Sequence, residues 1–315
     1  VKAVFKRLMS WIAMAIAFAG VAPAALAAEN GMSPWQLGLQ RSVSDVMDYI
    51  IWFEQFTLAI IVVVVLFVLA LLIYVMVRFN AKSNPVPSKT SHNTAIEIVW
   101  TIAPILILVV IAVPSFRLLN KQLEIPEYEM TIKATGYQWY WGYEYTDENM
   151  NGLSFDAIMV GNSLDLEEDR IARQEVADER GVSLNEVPRL LANDYDLVVP
   201  VDTVVRLQIA AADVIHAFAM PSMGVKIDAI PGRLNETWFK ARETGVFYGQ
   251  CSELCGKDHA FMPISMRVVT KEQFAQWSEA AQDDIDVANE QLWAAVASEK
   301  KAASAASDAI SVAAK

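Results

Sequence analysis

A chain of 315 residues with 54% hydrophobic residues and two cysteines has room for one or two packed domains. A formal charge of −12 argues against a nucleic-acid partner and for a basic one, a merely solvated surface being the alternative. The apolar residues come in blocks, so the average composition describes no single globular core.

The first block, residues 1–27, reads as a secretory signal peptide. Lys2, Lys6 and Arg7 precede an apolar stretch too short to span a bilayer, and Ala25-Leu26-Ala27 stands before Ala28. Segment 28–129 carries two longer apolar runs, Thr57 to Val77 without a charge and Glu97 to Phe116 with Pro104 and Pro114. About 20 residues cross a bilayer, and proline is tolerated in membrane helices, so the pair predicts a transmembrane hairpin. Its connecting loop holds Arg78, Lys82 and Lys89 and no acid, which places that loop in the cytoplasm and both chain ends in the periplasm of an inner (cell) membrane protein. Without the three signal cations the charge falls to −15, and without the three loop cations to −18. The exterior part is strongly acidic.

From Met130 the pattern changes to short strands. "TIKATGYQWYWGYEY" (131–145) is rich in β-branched and aromatic residues, and "TVVRLQIAA" (203–211) alternates, with Val205, Leu207 and Ile209 on one face. "RLNETWFKA", "GVFYGQC" and "PISMRVV" follow between Gly and Pro. Short strands at close spacing predict an all-β sandwich or barrel over 130–270. Residues 161–193 form an acidic segment of helical character, expected as an exposed insertion between strands. Residues 271–315 are helix-forming and end in an Ala/Ser-rich tail expected to be mobile.

"GQCSELCGKDHAFMP" (249–263) holds both cysteines. Cys251, Cys255, His259 and Met262 are spaced by four, four and three, which fits one helix face, but Gly249, Gly256 and Pro263 favour a tight loop. A Cys-x3-Cys pair in an exported protein is most often a disulfide. Against that stand the neighbouring His and Met and a second histidine, His216, in "DVIHAFAMPSMG". Soft sulfur with imidazole selects copper; zinc accepts two Cys and two His but has no use for a thioether. A mononuclear blue-copper site needs one Cys, two His and an axial Met, so the second thiolate is surplus unless two coppers share both.

"DVIHAFAMPSMGVKIDAIPGRLNETWF", "GVFYGQCSELCGKDHAFMPI" and "GYQWYWGYEY" resemble subunit II of bacterial haem–copper cytochrome c oxidases, and the likeness runs from the signal peptide to about Thr270. It implies a membrane-anchored all-β fold, a cupredoxin-like β-sandwich on a two-helix hairpin, with a helical C-terminal extension. It also implies a binuclear, mixed-valence copper A centre. Cys251 and Cys255 would bridge two copper ions, with His216 and His259 as terminal ligands and Met262 and the Glu253 carbonyl as weak ones. The Glu253 side chain would reach a magnesium ion shared with subunit I. By the same resemblance Trp139 is the exposed point at which electrons arrive from cytochrome c. They would pass to the haem of subunit I, where O2 is reduced to water, and subunit III would complete the assembly. Glu97, three residues before Trp100, would mark the entrance of a proton channel of subunit I. Family members commonly carry His where this chain has Tyr137; no function is attached to that difference.

Trp139, Tyr140 and Trp141 otherwise read as strand residues of a core or sheet face. Glu144, Asp147, Glu148, Asp156 and Asp213 are candidates to meet a lysine-rich cytochrome face. His92 reads as a loop residue. Two alternatives have different marks. A quinol oxidase subunit II would lack the Cys/His/Met set, and a membrane-anchored copper carrier would lack the Trp139 strand and subunit-facing helices. A fused cytochrome c would need Cys-x-x-Cys-His, which two cysteines spaced by three exclude.

Overall fold

The computed structural model describes residues 36–313 except 151, 162 and 163; the expected signal peptide lies outside the described residues. Two long helices come first, α1 (Asp45–Arg78) and α2 (Thr94–Leu123). At 1.5 Å per residue they measure about 51 and 45 Å, longer than the ~30 Å of bilayer hydrocarbon. Their most apolar stretches are not buried within the protein, which removes the alternative of soluble core helices. The two helices form the anchor of a membrane protein.

Capping, burial and ion pairs tie the anchor to the β-rich remainder of the chain. Ser44 caps α1, its hydroxyl accepting from Met47 N (3.1 Å) while donating to the Met223 carbonyl (2.7 Å). Val46 and Met47 are buried in the first turn of α1. Arg242 reaches Asp45 (3.2 Å) and Asp48 (2.6 Å) across the same junction. At the end of α2, Trp238 Nε1 donates to the Lys121 carbonyl (3.3 Å).

Ten strands make a sandwich of two five-stranded sheets. The first is ordered β3 (Ser154–Ala157), β2 (Tyr140–Tyr145), β1 (Met130–Tyr137), β5 (Val204–Ala211), β8 (Asn235–Lys240). The second is β4 (Leu197–Pro200), β10 (Pro263–Val269), β9 (Gly245–Cys251), β6 (His216–Met220), β7 (Val225–Ala229). Pairing is antiparallel except β1 with β5 and β4 with β10. β5 alternates as its sequence predicts, with Val205, Leu207 and Ile209 fully buried. The stretch 131–145 is two strands rather than one. It folds back at Gln138-Trp139, pairing Tyr137 with Tyr140, so Trp139 sits in a hairpin turn.

β10 breaks the two-faced pattern: all seven of its residues are buried. The cause is the insertion and the C-terminal extension, which contribute α3 (Leu166–Glu179), α4 (Lys271–Ala280) and α5 (Ile285–Ala313). The insertion is exposed along much of its length, as expected, but one side of it is seated on the sandwich. Ala177 and Val187 are fully buried and pack with Ala192 and Tyr248, whose hydroxyl donates to the Glu186 carbonyl (3.0 Å). An average hydropathy too polar for a core helix conceals one apolar side. The extension adds Trp277, Ala288 and Leu292 to the main core, and α5 continues through the tail to Ala313.

Candidate metal centre

Each residue of the sequence-derived set is delivered by the end of a strand or by the loop between β9 and β10. His216 is the first residue of β6 and is fully buried. Its ring fits because Gly136 of β1 has no side chain: a Cβ there would lie 2.9 Å from the ring. Cys251 ends β9, and the loop returns at Met262, whose carbonyl accepts from Cys251 N (3.4 Å) just before Pro263 pairs with Gln250. A 12-residue excursion is thereby pinned at both ends.

Within it the donors converge. Cys251 Sγ lies 3.9 Å from Cys255 Sγ, 3.9 Å from His216 Nδ1 and 3.3 Å from the Glu253 carbonyl. Cys255 Sγ lies 3.5 Å from His259 Nδ1 and 3.4 Å from Met262 Sδ. Both cysteines are free and buried. A disulfide needs about 2.05 Å between sulfurs, so the pair is close but unbonded. Two thiols, two imidazoles, a thioether and a carbonyl suit a soft metal. Burial alone would push the Cys251 thiol up, but hydrogen bonds with His216 and with the Ala217 and Glu253 backbone hold it below its ordinary value. Burial, then the charge on Cys251, raises the Cys255 thiol. One sulfur is therefore poised to ionise before the other.

Asp213 is the partner that sequence reasoning placed elsewhere. His216 Nε2 donates to its carboxylate (2.9 Å), which also accepts from Gln138 N (2.7 Å). This leaves His216 Nδ1 turned toward Cys251, the second-partner arrangement that fixes a metal-ligating imidazole. The Asp-x-x-His spacing was the available signal. Trp141, also not singled out for the site, sets its ring edge-on to His216 at 6.0 Å.

Trp139 is half-buried rather than exposed, because the loop packs on it. Its Nε1 donates to the Cys255 carbonyl (3.3 Å), as does Gln138 Nε2 (2.7 Å). Gly256 makes room: a Cβ at its φ of +132° would sit 2.9 Å from the indole. Tyr137 and Tyr140 stack beside the turn at 4.8 Å, placing Tyr140 on a sheet face. Of the five acids, Asp213 is engaged with His216, Asp147 accepts from Thr131 N (2.9 Å) and Glu144 pairs with Lys133 (3.1 Å). Asp156 and Glu148 are exposed.

Glu97 is not part of this site. It lies in the first turn of α2, about 36 Å along the helix from Lys121 at the sandwich end, and accepts from Asn93 N (3.3 Å).

Comparisons with known proteins agree on one family. Residues 130–269 match "Cytochrome C oxidase subunit II, periplasmic domain" and residues 32–118 match "Cytochrome C oxidase subunit II, transmembrane domain". A probable cytochrome c oxidase subunit 2 of Rickettsia bellii is 49% identical over 244 residues, covering 78% of this chain and 83% of the relative. Cytochrome c oxidase subunit 2 of Cereibacter sphaeroides is 46% identical over 250 residues, 79% of this chain and 81% of the relative. The crystallised periplasmic domain of subunit II of cytochrome oxidase from Bradyrhizobium japonicum is 52% identical; the match covers 51% of this chain and 99% of that one, with a TM-score of 0.42.

The Asp213–His216 pair has a pH signature. Burial opposes ionisation of both, yet Cys251 and Asp213 raise the His216 pKa above 6.5, and the His216 hydrogen bond with two backbone N–H groups lowers that of Asp213 below 3.8. A raised His value stabilises the fold below about 6.5 and is lost as pH rises through the folded value; a lowered Asp value stabilises it above about 3.8. In the metal-free, thiol-reduced protein, the melting-temperature gap between wild type and Asp213→Asn should be widest near pH 5 and narrow toward pH 8.5. A gap that widens toward alkaline pH would show that the pair does not hold His216 as a cation.

Proposed function

Because this chain belongs to the cytochrome c oxidase subunit II family, we propose that its buried donor set holds two copper ions and receives electrons from cytochrome c. As a subunit of a haem–copper oxidoreductase it would hand them to the haem of subunit I, in an assembly that also includes subunit III. The observation that carries the reading is the pair of free sulfurs 3.9 Å apart with two imidazoles, a thioether and a carbonyl around them. Cys251 and Cys255 would bridge, His216 and His259 would be terminal ligands, and Met262 and the Glu253 carbonyl would bind weakly. When bound, such a pair supplies a one-electron store whose charge is spread over two metals. Strand ends and a doubly pinned loop keep the donors from relaxing as that charge changes. The exposed Glu253 side chain is free to reach a magnesium ion shared with subunit I. A copper carrier is disfavoured by the same geometry, because delivery needs donors that can open, and the donor side chains other than the half-buried His259 are buried and held by two sheets. The quinol-oxidase alternative is disfavoured because the whole donor set is present.

The membrane orientation rests on the basic loop, with the sandwich in the periplasm. There an adjacent thiol pair tends to close, whereas metal ligation needs deprotonated sulfur. Copper loading of the purified protein should therefore require prior thiol reduction. The test compares copper uptake and the visible and electron-paramagnetic spectra before and after reduction. Equal uptake of two coppers by the oxidised protein would defeat the bridging-thiolate assignment.

Trp139 touches the ligand loop through the Cys255 carbonyl and sits in the turn between Tyr137 and Tyr140, so it is proposed as the place where electrons arrive. An exterior charge of −18 should draw a basic donor, and the attraction weakens as the screening length falls from ~10 Å at 0.1 M salt to ~3 Å at 1 M. Trp139→Phe should slow electron arrival in the bound complex by more than tenfold while changing the binding free energy by less than ~1 kcal/mol. Weakened binding with an unchanged transfer rate in the complex would move the port elsewhere.

Glu97, at the opposite end of the hairpin, is proposed to serve proton uptake from the cytoplasmic side. Glu97→Ala in the assembled oxidase should lower steady-state turnover severalfold and leave the copper spectrum and cytochrome binding alone. Unchanged turnover would reduce Glu97 to the helix-capping contact it makes with Asn93.

A further inference from the structure

Where the hairpin meets the sandwich, α1 and α2 part to leave a cavity of about 670 Å3 whose upper rim is basic and whose walls are apolar. Arg117 and Lys121, one helical turn apart on α2, form the basic side; Trp52 and Phe53 of α1 face Pro114 and Leu118 of α2 below them. Arg117 makes no hydrogen bond or ion pair among the described residues. Lys121 places its ammonium 4.0 Å from the centre of the Tyr49 ring and meets no carboxylate among the described residues. The acid on the rim, Asp48, is taken by Arg242 at 2.6 Å. The cavity therefore carries two uncompensated cations in a protein that is otherwise strongly acidic.

Their depth identifies the solvent they meet. Arg117 stands 20 residues beyond Glu97 on α2, about 30 Å, one hydrocarbon thickness. It thus lies at the headgroup level of the leaflet next to the sandwich, with Lys121 about 6 Å further out. Tyr49 and Trp52 are the residue types that mark this level. We propose that this cavity binds one anionic phospholipid. Its phosphate would be held between the Arg117 guanidinium and the Lys121 ammonium, its glycerol against the Trp52 ring, and an acyl chain in the groove between Phe53, Pro114 and Leu118. A cation pair at a membrane edge gains a partner of opposite charge from an anionic headgroup, while a zwitterionic lipid returns most of that gain with its own cation.

The assembled oxidase, reconstituted in nanodiscs of phosphatidylcholine with a minority of phosphatidylglycerol of the same acyl chains, supplies the test. Native mass spectrometry should find one more retained phosphatidylglycerol on the wild type than on Arg117→Gln/Lys121→Gln. The phosphatidylglycerol preference should fall by roughly 25-fold, as expected for two interfacial cations. Arg117→Lys should keep the lipid. The copper spectrum, read in parallel, separates a lost lipid from a lost fold. Brominated phosphatidylglycerol should quench the emission that distinguishes wild type from Trp52→Phe, and this holds whether or not the double variant assembles. Equal phosphatidylglycerol retention in wild type and double variant, equal retention of phosphatidylcholine, or a Trp52 that brominated lipid fails to quench because a protein neighbour covers it would each overturn the proposal.

Discussion

Two sulfurs held 3.9 Å apart, near enough to share a metal and too far to share a bond, are the constraint around which the sandwich is arranged. Left alone in an oxidising compartment, such thiols lower their free energy by closing. The fold sets their spacing without a covalent device. β9 and β10 run antiparallel on either side of the ligand loop, and Pro263 opposite Gln250 fixes the span that the loop must cover. β6 pairs with β9 through Phe218 and Cys251, which sets His216 at the height of the first sulfur. The second sulfur is fixed from another direction. The Cys255 carbonyl takes two donors, from Gln138 and Trp139, both on the β1–β2 turn of the opposite sheet. The sulfur pair is thus gripped by both layers of the sandwich, and its separation reports on how the layers sit together.

Through Asp213 and the β1–β2 turn the same grip runs to the surface. One carboxylate accepts from the His216 ring and from the backbone N–H of Gln138. The residue before Trp139 and the first imidazole therefore share a single anchor. The turn thus stands one hydrogen bond from both halves of the donor set, through the Gln138, Trp139 and Asp213 side chains. The candidate acids differ in their surroundings: Asp156 and Glu148 are exposed, while Asp213 is committed to the histidine.

Much of this was readable from residue order, and the limits have physical causes. The hairpin spans announce themselves by apolar length, and β5 by a period of two, because both signals depend on a single surrounding medium. Five of the six converging groups lie in the one loop 251–262, so residue order places them together, and His216 opens a separate strand three residues after Asp213. What residue order could not show was the fold-back at Gln138-Trp139. The run 131–145 has strand composition throughout, and its turn carries no Gly, Asn or Pro at its centre. Nor could it show that the Trp139 indole is half-covered, since the covering atoms come from Gly256, more than a hundred residues later. The seat of the insertion was hidden for a related reason: its average polarity is real, but Ala177, Val187 and Ala192 on one side pack against Tyr248.

The insertion and the C-terminal extension meet over that seat. Covering the outer face of β10 and β9 buries Arg267, which must then find a counter-charge away from water. It finds Asp196 at 2.6 Å, and Asp196 in turn approaches Arg180, the residue that caps the C-terminus of the insertion helix, at 3.6 Å. Three buried charges in a row leave one cation in excess. The extension meets it: the Arg180 guanidinium stacks on the Trp293 ring of α5 at 4.8 Å, and its Nη2 donates to the carbonyls of Asn193 and Asp194. Further along α5, Lys300 closes onto Glu186 of the insertion at 2.5 Å. A buried charge deprived of its partner costs several kcal/mol, far more than an exposed ion pair gains. The Arg180–Trp293 stack and the Lys300–Glu186 pair join the two additions across this face. The two additions therefore act as one clamp. It closes over the outer side of β9 and β10, the strand pair whose ends flank the ligand loop.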